Sequence, residues 1–173
     1  GFDVEVLVQD VASEDEWVAR TGETRETLRT RCGIARYAQD LDALLPEADL
    51  VLIHLPLTPG TQGLIGAERL ARMKRGSVLV NAGRGGIVDE IALYDALSSG
   101  HLDGAASDVF VTEPYVPAAP DKDLRLLPNM VLTPHCGSNT AEANARMAAS
   151  AVRQAAAFFA GDGHLLQRVP LTP

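Results

Sequence analysis

The stretch VLVNAGRGGIVDE, residues 78–90, joins an apolar run to an arginine set among glycines. Val78, Leu79 and Val80 have the character of a strand buried in a sheet. Gly83, Gly85 and Gly86 let the backbone turn sharply and approach a flat ligand closely. Asp89 reads as the N-cap of a helix that Gly100 stops. Strand, glycine turn and helix N-terminus in that order form one unit of a parallel α/β sheet. A turn gains nothing from a long cation at its tip, so Arg84 needs its own explanation.

Outward from this stretch, further strand-like runs recur, each closed by a break. They are VEVLVQD (4–10), GIARYA (33–38), DLVLIHL (49–55), SVLVNAG (77–83), GAASDVF (104–110) and MVLTPH (130–135). Most are continuously apolar rather than alternating, which predicts strands buried on both faces. Helices are expected at DLDALLPEA (40–48), GAERLARMK (66–74) and DEIALYDALSSG (89–100), with one charged helix over about 14–30. The long Ala-rich segment 139–161 has Asn139 and Glu142 spaced as a capping box. The alternation predicts an α/β fold: a doubly wound, Rossmann-like parallel sheet with helices on both faces. Ligands of such sheets bind at the carboxyl ends of the strands. Residues 1–160 read as one nucleotide-binding domain, 113–123 as a loop within it, and 161–173 as an extended tail.

Composition narrows the function classes. The chain has 173 residues, 15 of them Lys or Arg and 23 Asp or Glu, for a net charge of -8. A spread of acidic residues argues against nucleic acid, whose footprint is a basic patch, and against anionic membranes. No apolar run reaches the roughly 18 residues needed to span a bilayer. Cys32 and Cys136 are the two cysteines, which gives no disulfide framework and makes a reducing, cytoplasmic setting the expectation. His54, His101 and His164 lack metal-ligand spacing, so no metal is expected. Cys136 beside His135 invites a thiol–imidazole pair, but neighbours on a strand point to opposite faces.

The strand ends carry the chemistry. Asp10 ends the first strand, where an acidic residue can accept hydrogen bonds from an adenosine ribose. Pro56 and Pro59 fix a loop directly after the strand at 49–55. Arg84 offers a planar fork suited to a carboxylate or phosphate. Asp108 and Glu113 follow the strand at 104–110, and His135 follows the last strand. Taken singly, each fits an ordinary surface role. Together, an Arg, a Glu and a His would converge on one edge of the sheet. A carboxylate-binding cation, a proton shuttle and a carboxylate that orients it suit reduction of a 2-oxo acid.

These residues lie in three blocks: HLPLTPGTQGLIG (54–66), MKRGSVLVNAGRGGIVDEIALYDALSSGHLDGAASDVF (73–110) running on into VTEP, and NMVLTPHCGSN (129–139). In this order they resemble the D-isomer-specific 2-hydroxyacid dehydrogenases, a family that includes D-lactate, D-glycerate, hydroxypyruvate and phosphoglycerate dehydrogenases. The resemblance covers most of residues 1–160. It implies that Arg84 holds the substrate carboxylate, that His135 is the acid and base at the carbonyl, and that Glu113 keeps His135 protonated. It implies NAD as cofactor. Asp108 would meet the nicotinamide carboxamide and Asp10 the adenosine ribose. His54, Leu55, Pro56, Thr58, Ala82, Gly83, Arg84, His135 and Gly137 would line the rest. A small 2-hydroxy or 2-oxo acid is the implied substrate, and a homodimer through the apolar faces of helices 89–100 and 139–160 the implied assembly. Formate dehydrogenases carry glutamine where Glu113 stands. Phosphite dehydrogenases keep the same three residues, and related NAD(H)-sensing corepressors use the same fold as a binding scaffold, so both readings stay open.

Two departures from the family pattern bear on these expectations. The chain contains no G-x-G-x-x-G, the turn that meets the pyrophosphate. In the family that turn follows a central strand lying between those at 4–10 and 49–55, and the substrate domain is mostly upstream. The chain therefore reads as the C-terminal part of a longer enzyme, poorly folded and inactive alone. The stretch 11–39 is also longer than the family pattern, and its charged helix falls where the adenine would be covered.

Overall fold

The computed structural model describes residues 4–163, and the expected tail lies, from residue 164 on, outside them. The chain divides into two units, one ending at Pro134 and one beginning at His135.

Among its described residues the first unit holds six parallel strands in two sheets. β1 (Val6–Gln9) pairs with β2 (Ile34–Ala38). β3 (Leu50–Ile53), β4 (Val78–Asn81), β5 (Gly104–Ser107) and β6 (Met130–Leu132) pair in chain order. Among the described residues the two ladders do not join: β1 hydrogen-bonds to β2 and β3 to β4. Each predicted strand is present, with narrower bounds.

Between β1 and β2 run α1 (Glu14–Thr21) and α2 (Arg25–Cys32). This corrects the single helix expected over 14–30. Gly22 takes a left-handed φ of 70° that ends α1, and Thr24 caps α2 anew by accepting from Thr27 N. Ser13 and Glu16 form a full capping box on α1. α3 (Leu41–Leu44), α4 (Ala67–Arg72) and α5 (Glu90–Ser98) link the later strands. Asp89 caps α5 as expected, accepting from Ile91 and Ala92 amides, and Gly100 follows with a φ of 66°.

The core lies against one face of the four-stranded sheet. Ile53, Leu79, Ala105 and Met130 bury there with Leu70 of α4 and Leu93 and Leu97 of α5. Leu79 is fully inaccessible, and such a leucine contributes about 2–5 kcal/mol over alanine. The opposite face corrects the expectation of strands buried on both sides. Leu50 and Leu52 are 52% and 57% exposed, and Val131 is exposed too. A continuous apolar run records that a strand can be covered, not that it is.

The second unit is built on α6 (Ala141–Ala160), closed by Gly161 in a left-handed conformation. Its N-cap is Thr140, whose hydroxyl accepts from Ala143 N, and not the expected Asn139–Glu142 box. Asn139 Oδ1 instead accepts from the Asn144 side chain at 2.8 Å. No helix among the described residues is long and apolar enough to cross a membrane.

Candidate active site

The strand register brings four loops to a common starting line. Ile53, Asn81, Ser107 and Leu132 face one another across β3, β4, β5 and β6. The ladder steps on by one residue beyond them: Ala82 N donates to Ile53 O at 3.0 Å, Asp108 N to Asn81 O at 3.0 Å and Thr133 N to Ser107 O at 3.1 Å. The loops carrying His54, Ala82 and Asp108 therefore leave the same carboxyl edge, neighbours by the spacing of paired strands, about 4.8 Å.

Asn81 closes the β4 end. It is buried, its Oδ1 accepts from Gly83 N at 3.1 Å and its Nδ2 donates to Arg84 O at 3.2 Å. This side chain fixes the turn while Arg84 stays exposed, its Nη1 donating to Gly83 O at 2.8 Å. Two glycines here are matters of space. A Cβ on Gly83 would stand 2.7 Å from Leu55 O, so this turn lies directly on the β3 loop. A Cβ on Gly85 would fall inside the Phe110 carbonyl group and 2.7 Å from Val111 N. The β4 turn is thus packed between the loops that follow β3 and β5.

A short ladder adds to this. Gly63 N donates to Gly86 O and Ile65 N to Ile87 O, while Asp89 N returns to Ile65 O. His54, Pro56 and Thr58 are exposed and Leu55 half-buried. Thr61 ties this loop, its hydroxyl donating to Pro56 O at 2.6 Å and accepting from Thr58 N at 2.8 Å.

Asp108 is half-buried, and Thr133 Oγ1 donates to its Oδ1. Glu113 is exposed and its Oε1 accepts from Phe110 N at 3.0 Å, curling the loop back on itself. Phe110 packs on Tyr115 with ring centroids 4.8 Å apart, and Tyr115 Oη accepts from Leu124 N at 3.0 Å. Burial pushes the Tyr115 hydroxyl pKa up, with the Leu124 N–H opposing. At the end of β1, Asp10 Oδ1 accepts from Ala12 N at 2.8 Å. Tyr37 donates to Ala12 O at 2.5 Å, and its hydroxyl pKa is raised by burial first and then by the Asp10 charge.

The remaining expected residues lie in the second unit. His135 is exposed and has a φ of 52°, uncommon for a residue with a side chain. Gly137 is exposed, within a turn closed by Asn139 N donating to Cys136 O at 2.9 Å. Among the described residues, no group of three or more His, Cys, Asp or Glu could hold a metal ion. One residue escaped the sequence reading. Glu90 is buried at the start of α5, and its Oε1 accepts from Val111 N at 2.8 Å. Its partner is a backbone amide 21 residues away, which no local pattern announces.

Comparison with known proteins bears on this edge as a whole. Residues 3–137 match the model of the D-isomer specific 2-hydroxyacid dehydrogenase, NAD binding domain. The chain is 50% identical over 123 residues to glyoxylate/hydroxypyruvate reductase B of Pectobacterium carotovorum, covering 71% of this chain and 38% of that one. It is 41% identical over 128 residues to the mitochondrial formate dehydrogenase 2 of rice, covering 74% and 33%. The NAD-dependent formate dehydrogenase of Staphylococcus aureus, solved in complex with NAD, superposes with a TM-score of 0.66 at 36% identity, over 77% of this chain and 38% of that one. The chain thus spans about a third of the length of these relatives.

Proposed function

The chain belongs to the D-isomer-specific 2-hydroxyacid dehydrogenases, matching their NAD-binding domain, and from that premise we propose that the protein transfers a hydride reversibly between NAD(H) and C2 of a D-2-hydroxy or 2-oxo acid. The observation that carries this reading is the shared register row: Arg84, Asp108 and Glu113 all follow strands that end on it. Arg84 takes the substrate carboxylate through its planar guanidinium. His135 gives a proton to the carbonyl oxygen in reduction and takes it back in oxidation. Glu113 would stabilise the imidazolium, as a carboxylate does for an imidazolium it pairs with.

The residues fit the nicotinamide end of the cofactor. Ala82 is exposed between buried Asn81 and Gly83, so the turn offers a methyl and bare backbone rather than bulk. Bound NAD(H) supplies the hydride donor or acceptor. His54, Leu55, Pro56, Thr58, Ala82, Gly83 and Gly137 would line it, Asp108 would hold its carboxamide, and Asp10 would take its ribose and disfavour a 2′-phosphate. The pyrophosphate end has no counterpart here, since the sequence lacks the G-x-G-x-x-G turn. Glu113 favours a 2-oxo acid over formate as substrate. Met147, Val152, Phe158 and Phe159 lie exposed on α6 and support a homodimer through that helix.

The test is His135→Ala in the full-length protein. Turnover with a panel of 2-oxo acids should fall about 10²-fold or more, with NADH binding by fluorescence titration retained. Wild-type turnover in this variant overturns the assignment. NADH binding without turnover in the wild type would instead favour the sensing-scaffold reading.

A further inference from the structure

The start of α5 holds a residue that its own packing does not explain. Glu90, Leu93 and Leu97 form the buried stripe of this helix. Leu93 and Leu97 join the apolar core. Glu90 occupies the same stripe at 9% exposure, and its Oε2 has no hydrogen-bond partner among the described residues. Burying a carboxyl with one oxygen unsatisfied is unfavourable. Burial accordingly pushes its pKa up, with the Val111 N–H holding it the other way. A leucine would suit the stripe better.

What Glu90 does have is the Val111 amide, at 2.8 Å. Val111 needs such a hold, because it is 65% exposed and is followed by exposed Thr112, Glu113 and Pro114. The amide before it, Phe110 N, goes to Glu113 itself at 3.0 Å. Two successive amides are therefore taken by two glutamates, one from the helix and one from the loop. Phe110 in turn sits against Gly85, next to Arg84, with no room for a methyl between them.

We infer that Glu90 is a positioning residue: by accepting the Val111 N–H it fixes the segment that carries Glu113 relative to the Arg84 turn. The consequence for catalysis rests on the proposed dehydrogenase function, while the anchoring itself does not.

The experiment uses the full-length protein with Glu90→Leu and Glu90→Gln. Leucine fills the stripe but accepts no hydrogen bond, and glutamine keeps an acceptor oxygen. Amide hydrogen exchange is read at Val111 and at core Leu79, with kcat and KM for reduction of a 2-oxo acid. In Glu90→Leu we expect exchange at Val111 at least tenfold faster, unchanged protection at Leu79, and kcat down about tenfold with KM for NADH unchanged. Glu90→Gln should stay within about twofold of wild type in each. Wild-type exchange at Val111 in Glu90→Leu overturns the inference. So does an equal loss of protection at Leu79, since Glu90 would then serve the fold as a whole, while faster exchange with an unchanged kcat overturns its consequence for catalysis. A wild-type protein that reduces no 2-oxo acid defeats the dehydrogenase reading, and exchange at Val111 then decides the anchoring alone.

Discussion

The carboxyl edge of the four-stranded sheet and the helical hairpin α1–α2 are both polar, yet they are held by different forces. At the edge, backbone lies on backbone: Gly83 against Leu55, Gly85 against Phe110, residues 63–65 laddered to 86–89. In the hairpin, side chains hold side chains. Arg29 pairs with Glu14, Arg25 with Asp15 and Arg31 with Glu23, and the helix ends are capped by Ser13 and Thr24. Leu28 is the buried residue of α2, and α1 has none. Close backbone packing fixes position to a fraction of an ångström and tolerates little, whereas exposed ion pairs tolerate much and fix little. Chemistry that depends on placement belongs with the former.

A methyl group tests the contrast most directly. Gly85→Ala must drive the β4 and β5 loops apart and should cost about 3 kcal/mol, as overpacking does, read from urea unfolding. A loss under 1 kcal/mol would mean that the loops are looser than their contact indicates.

The next effect is one of pH, and it belongs to the edge as well. The folded pKa of Glu90 is raised, by burial first and then by Asp89. Its contribution is therefore fully present below the unfolded value near 4.5 and is lost as pH rises through the folded value. Subtracting the stability–pH curve of Glu90→Gln from that of the wild type should show this downward step. A flat difference would place Glu90 in a more solvated setting.

The same methyl in the hairpin should do less. Gly22 has a left-handed φ of 70° but open space around a Cβ, so Gly22→Ala should cost about 1 kcal/mol from backbone strain alone. Parity with Gly85→Ala would erase the distinction between the two regions. Least of all, Arg31→Ala, which removes the exposed ion pair with Glu23, should leave the melting temperature nearly unchanged, and less altered still in 1 M salt. A large, salt-insensitive drop would show that the hairpin relies on packing after all.

The six strands were legible because Gly, Pro or Asp closes each run, and the edge was legible because Arg84, Asp108 and Glu113 stand just past those breaks. Asp89 was readable as a cap for the same local reason. Gly22 was missed as a helix break because the charged pattern continues past it, and Thr140 was displaced by its neighbour Asn139, which is equally able to cap. The exposed face of β3 could not be seen, since an apolar run carries no record of what covers it. Glu90 was invisible in a different way. A glutamate one residue after an N-cap fits a helix start, and only the fold shows that it is buried against a distant amide.

The break between the two ladders also bears on association between copies. β1 (VLVQ) and β3 (LVLI) each keep one side unpaired among the described residues, and neither carries the lysine or proline with which natural sheets blunt an edge. The net charge of -8 keeps copies apart at low ionic strength. Added salt shortens the reach of that repulsion without weakening strand pairing. Solutions of the chain should therefore turn turbid at lower protein concentration as salt is raised.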